Sequence, residues 1–175
     1  MHVDYSEFKL KCMASAQEAY VLAVKIAQSY TKRKKVFILA DSNEFVDENP
    51  HTCSLQAGNA AQLCEAIALT DERIAAIIIR SHRASHFYYK KVRELSSAEG
   101  ALMIWDRLTN HADQKIARHC IPDIAIFTHL RVAFLLAKKE LMYEENIESI
   151  DFDGCCTGLL ATETISEVNS LVHNK

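Results

Sequence analysis

The chain has 175 residues, 49% of them hydrophobic, with a formal net charge of -3 and a pI near 6.2. That length makes one domain, or a large piece of one, with ample material for a core. The mildly acidic balance excludes attraction to nucleic acid through a global positive field, and no apolar run approaches the length needed to span a bilayer.

Taken in order, Glu7-Phe8-Lys9-Leu10-Lys11-Cys12-Met13 alternates, with Phe8, Leu10 and Cys12 on one face, and predicts a short strand. Ser15-Ala16-Gln17-Glu18 has the spacing of a capping box, so a helix starts there. Its apolar face is Ala19, Leu22, Ala23, Ile26 and Ala27, and it runs to about Tyr30. Lys35 to Ala40 is the next strand, Asp41 to Pro50 a polar loop, and Thr52 to Leu55 fits a short edge strand. Ala60 to Leu69 is helical. Ile74-Ala75-Ala76-Ile77-Ile78-Ile79 runs without a polar residue, as a strand buried on both faces does. His86 to Ala98 reads as a helix.

Gly100-Ala101-Leu102-Met103-Ile104-Trp105-Asp106 is a second uninterrupted apolar run, ending at an acid. Ala101 to Trp105 is expected at the centre of the sheet. The carboxyl end of such a strand is where open α/β sheets place ligands, which makes Asp106 a candidate site residue. Asp113 to His119 is predicted as a short helix and Ile124 to Phe127 as a strand, followed at once by a strand over Val132 to Leu136. So short a connection holds no crossover helix, so the second strand should run antiparallel to its predecessor or lie across the sheet. A closing helix is predicted over Thr157 to Val172. The fold expected is α/β: a single domain over 1–175, a three-layer αβα sandwich around a mostly parallel sheet of about seven strands.

The six cysteines show no metal-type pairing and are expected to be reduced and mostly buried. Met1-His2-Val3-Asp4-Tyr5 lacks a signal-peptide core, and a cytoplasmic location with no membrane or nucleic-acid partner is expected. The run Lys32-Arg33-Lys34-Lys35 is expected to be a solvated turn. The histidines fall at irregular spacings, so no metal site is expected. No Gly-x-Gly-x-x-Gly or Gly-x-x-x-x-Gly-Lys turn is present, which argues against a plain nucleotide-binding module.

The motifs, in their order, resemble the large domain of class III aminotransferases, the pyridoxal-phosphate (PLP) fold-type I group that includes glutamate-1-semialdehyde aminomutase. Ser15-Ala16-Gln17-Glu18-Ala19 is similar to the family's Ser-Gly-Thr-Glu-Ala turn, and Tyr30 to Val36 to its Tyr/Phe-Thr-Gly-Arg-x-Lys-Ile pattern. Gly100 to Arg107 resembles its Gly-Ala-Leu-Leu-Ile-x-Asp-Glu strand, Pro122 to His129 its Pro-Asp-Ile…Gly-Lys segment, and Val132 to Glu140 the strand after that. Cys155 to Leu159 faintly echoes a later helix start.

The resemblance implies a role for each position. Asp106 would face the PLP ring nitrogen, Ser15, Ala16 and Gln17 would form the phosphate turn, and the Schiff-base lysine position is His129. An imidazole cannot form that Schiff base. Ala16-Gln17 replaces Gly-Thr in the phosphate turn, Arg80 stands where the family commonly has glutamate, and the aromatic-rich stretch after the second strand is short and polar. The family's N-terminal segment and C-terminal small domain are expected to be absent. The expectation is a non-catalytic aminotransferase-like protein with vestigial cofactor-binding positions Asp106, Ser15, Ala16, Gln17 and His129. It carries no catalytic residue, no metal and no cofactor beyond the PLP implied by resemblance. A homodimer, or association with a full-length aminotransferase, is the expected partner relationship. The alternative is an enzyme of the same lineage that uses PLP non-covalently.

Overall fold

The computed structural model describes residues 8–41, 50–81, 85–108, 122–129 and 132–142. Seven strands form one sheet: β1 (Phe8–Met13), β2 (Lys35–Ala40), β3 (Thr52–Gln56), β4 (Ile74–Arg80), β5 (Leu102–Leu108), β6 (Ile124–His129) and β7 (Val132–Lys138). Helices α1 (Ala16–Thr31), α2 (Ala60–Leu69) and α3 (His86–Glu99) flank it, and a short 3-10 turn over Lys139–Met142 closes the described chain. The predicted helices over Asp113 to His119 and Thr157 to Val172 lie outside the described residues, as does most of the Asp41 to Pro50 loop.

The sheet order is β1-β7-β6-β5-β4-β2-β3. β7 runs antiparallel to both of its neighbours, and the remaining pairings are parallel. β1, β2, β3, β4, β5 and β6 therefore all end at the same edge, and β7 alone ends at the other. The fold is the expected α/β sandwich, with β5 fourth of seven, at the sheet's centre.

Why these runs make this sheet follows from which side chains each face needs. Along β4, Ile77 and Ile79 enter the core under α2 and α3, while Ala76 and Ile78 enter the core under α1. Both faces are dry, so alternation disappears and the strand reads as one apolar run. Burying each such isoleucine is worth about 1.5–3 kcal/mol. Edge strand β3 is only partly covered, which is why its sequence mixes polar and apolar residues.

The helix boundaries have local causes. Ser15 caps α1, its hydroxyl accepting from Glu18 N–H at 3.1 Å. Asn59 and Ser85 cap α2 and α3 in the same way. α3 ends where Gly100 takes the left-handed conformation, φ 67°. A Cβ there would also lie 3.2 Å from Arg33 Nη2. The basic run is the expected turn, with Lys32 and Lys34 exposed. Arg33 within it is half-buried and does more than face solvent: Nη1 donates to the carbonyls of Ile74, Glu99 and Gly100 at 3.0, 2.7 and 3.2 Å. It ties the end of α1 to the start of β4 and to the end of α3.

The described cysteines also differ from expectation. Cys12, Cys53 and Cys64 are free, and none is buried, with Cys64 exposed on α2. Among the described residues, no helix is long and apolar enough to cross a membrane.

Candidate functional site at the carboxyl edge of the sheet

The common edge of the parallel strands gathers the polar residues that the apolar runs deliver. Asp41 follows β2, Arg80 ends β4 and Ser81 follows it, Asp106 lies in β5, and β6 ends at His129. Ser15, Ala16 and Gln17 stand at the start of α1, directly after β1, and so belong to the same edge. The positions named from sequence are therefore brought to one side of the molecule by topology.

Asp106 is not the end of its strand. β5 continues to Leu108, with Trp105 facing Ala125 and Leu108 facing Phe127. Between those pairs β5 carries one residue more than β6, a shift in register at Asp106 and Arg107. The Asp106 side chain has no solvent exposure, and its Oδ2 takes Arg80 Nε at 2.5 Å and Nη2 at 2.5 Å. Arg80 in turn lies over the ring of Tyr20 in α1, 5.1 Å from guanidinium carbon to centroid. Beside them the Ser81 hydroxyl donates to Asp41. On the other face of β5, Trp105 packs edge-on against Tyr89 at 5.5 Å between centroids, and the Tyr89 hydroxyl donates to the Ser81 carbonyl.

A second polar cluster sits at the opposite edge and escaped the sequence reading. Asp123, just before β6, is 5% exposed. It accepts from Arg93 Nη1 at 2.8 Å, Lys138 Nζ at 2.9 Å and the Met103 backbone N–H at 2.9 Å. Burial pushes its carboxyl up, but the Arg93 guanidinium, Lys138 and the Met103 N–H together outweigh burial and hold it below the ordinary value. The signal was present in the hairpin register: pairing His129 with Val132 sets Ile124 opposite Ala137, and so Asp123 beside Lys138. Lys138 thus pairs with Asp123 at the edge opposite Asp106.

The PLP implied by resemblance can be tested against these side chains. Among the described residues, the strand ends at this edge carry Asp41, Arg80, Ser81 and His129, and no lysine. The carboxylate that would meet a ring nitrogen already holds a guanidinium. The described residues do not fit the group as the resemblance would hold it.

No family model matches the chain. The glutamate-1-semialdehyde 2,1-aminomutase of Neisseria meningitidis is 27% identical over 132 positions, covering 57% of this chain and 31% of that protein. Among solved structures, taurine:2-oxoglutarate aminotransferase from Bifidobacterium kashiwanohense superposes with a TM-score of 0.67 at 14% identity, over 96% of this chain and 52% of that one. N-acetylornithine aminotransferase from Stenotrophomonas maltophilia gives 0.57 at 18% identity, over 78% and 44%. The chain thus spans about a third of the curated relatives it matches, and about half of the solved ones. Its sequence likeness to the aminomutase and the sheet it shares with the transaminases make this an aminotransferase-like chain.

Proposed function

We propose that this is a non-catalytic aminotransferase-like protein, a pseudoenzyme that acts by binding a partner or a small ligand. The observation behind it is the set of side chains around Asp106, which includes no lysine among the described residues, while Lys138 is held by Asp123 at the far edge. Schiff-base chemistry needs an amine nucleophile, and histidine at position 129 cannot supply one. The partner class that suits this function is a second copy of the chain or a full-length aminotransferase.

The test is direct. The purified chain is mixed with stoichiometric PLP, treated with borohydride, dialysed and mapped by peptide mass spectrometry. No stable stoichiometric adduct is expected. A reducible adduct concentrated on one lysine overturns the proposal. The retention of Asp106, buried in the central strand, favours one second reading: an enzyme that holds PLP non-covalently and uses histidine as base. PLP kept through dialysis without a reducible bond is the outcome that selects it.

A further inference from the structure

Adjacent parallel strands set Arg80 and Asp106 side by side. Ile79 and Trp105 are register partners, so residues 80 and 106 are the next pair along β4 and β5, on the face covered by α1. The Asp106 side chain is fully buried and that of Arg80 is 11% exposed. Two guanidinium nitrogens lie 2.5 Å from one carboxylate oxygen, and the same guanidinium rests over a tyrosine ring that is itself 4% exposed. Around the guanidinium the other two groups make a slot for something flat and positive: a carboxylate at its edge and an aromatic ring within cation–π distance.

We propose that Tyr20 and Asp106 form a binding site for a planar cation, and that the chain fills this site with its own Arg80. The inference deepens the non-catalytic proposal and rests on it, in that Asp106 is answered from within the chain and not by a cofactor ring. A carboxylate with no solvent exposure must have a counter-charge, because desolvating it alone is far costlier than desolvating a pair. A sheet that relied on a ligand for that charge would be unstable until the ligand bound. Here the charge is part of β4. An incoming planar cation would have to expel a guanidinium that is already hydrogen-bonded to Asp106 and lies over the Tyr20 ring, and would make the same contacts in its place. The exchange gains nothing, so the slot stays closed to ring cations. Lysine at position 80 would supply the charge without the plane.

The test empties the slot. R80A is expected to melt about 10 °C below the wild type, as loss of one partner of a buried pair implies for a chain of this size. Tens of millimolar guanidinium chloride should raise the melting temperature of R80A, by binding the folded form. Sodium chloride and methylammonium chloride at equal ionic strength should not, and neither the wild type nor the R80A/D106N double variant should gain from guanidinium. Should R80A lack a cooperative melt, guanidinium added during refolding should restore one. An R80A melt equal to wild type, or guanidinium without effect on R80A melting or refolding, overturns the proposal. A lysine adduct with PLP on the wild-type chain would instead overturn the non-catalytic proposal and leave the guanidinium result standing, so the two failures are distinguishable.

Discussion

Replacing Asp123 with asparagine keeps the side chain's shape and removes its charge. In the wild type that carboxylate takes Arg93, Lys138 and the Met103 N–H, all within 2.9 Å. A hydrogen bond to a charged group is worth about 1.5–3 kcal/mol, and leaving a charge buried without its partner costs about 3–5 kcal/mol. The Arg93 and Lys138 side chains keep 29% and 27% exposure, so both can partly rehydrate when the counter-charge goes, and an amide oxygen can still accept from Met103. The expected loss is therefore about 2–4 kcal/mol, a large part of the roughly 5–15 kcal/mol available to a domain. Urea unfolding followed by circular dichroism at pH 7 measures it.

The pH dependence carries the sign. Because the folded carboxyl lies below its ordinary value of 3.8, the unfolded chain takes up the proton first as pH falls. The stabilisation is complete above the unfolded value and is lost as pH drops through the folded one. The gap between wild type and D123N should thus be widest at neutral pH, begin to narrow near about pH 4 and close only as pH falls through the lower folded value. A loss under about 1 kcal/mol at pH 7, or a gap that stays constant into acid, would refute a stabilising carboxylate. A double-mutant cycle with Lys138→Met should return a positive coupling for the pair.

Gly100→Ala should cost about 1–3 kcal/mol in the same urea assay, since alanine resists the left-handed conformation and its Cβ crowds Arg33. If the chain associates as proposed, light scattering at working concentration should give twice the monomer mass of 19.8 kDa, or a pull-down should recover a full-length aminotransferase; a monomer with no such partner would count against association.

Much of the fold was legible because the sheet is buried on both faces. Long apolar runs at Val36 to Ala40, Ile74 to Ile79 and Leu102 to Trp105 admit few other readings, and Ser15 marks a helix start through a contact three residues away. Even the antiparallel turn into β7 followed from chain connectivity, since two residues cannot carry a crossover. The edge that gathers Ser15, Asp106 and His129 was legible too, because in a parallel sheet strand ends share an edge by topology.

What the sequence did not disclose is how those polar residues are matched. Arg80 meets Asp106 across 26 residues, Arg93 meets Asp123 across 30, and Arg33 reaches Glu99 across 66. Local pattern can say that a strand ends in a charge, and each charge in isolation has a bland surface explanation. Which charge is buried, and what answers it, depends on strand order and register, which set residue 106 beside residue 80 on the face under α1. The sequence by itself determined the elements and the edge where a site would lie, through short-range periodicity and connectivity. Only the tertiary structure decided that Asp106 is already occupied by Arg80 and that Lys138 serves Asp123, because the desolvation that forces those pairings exists only once distant strands have come together.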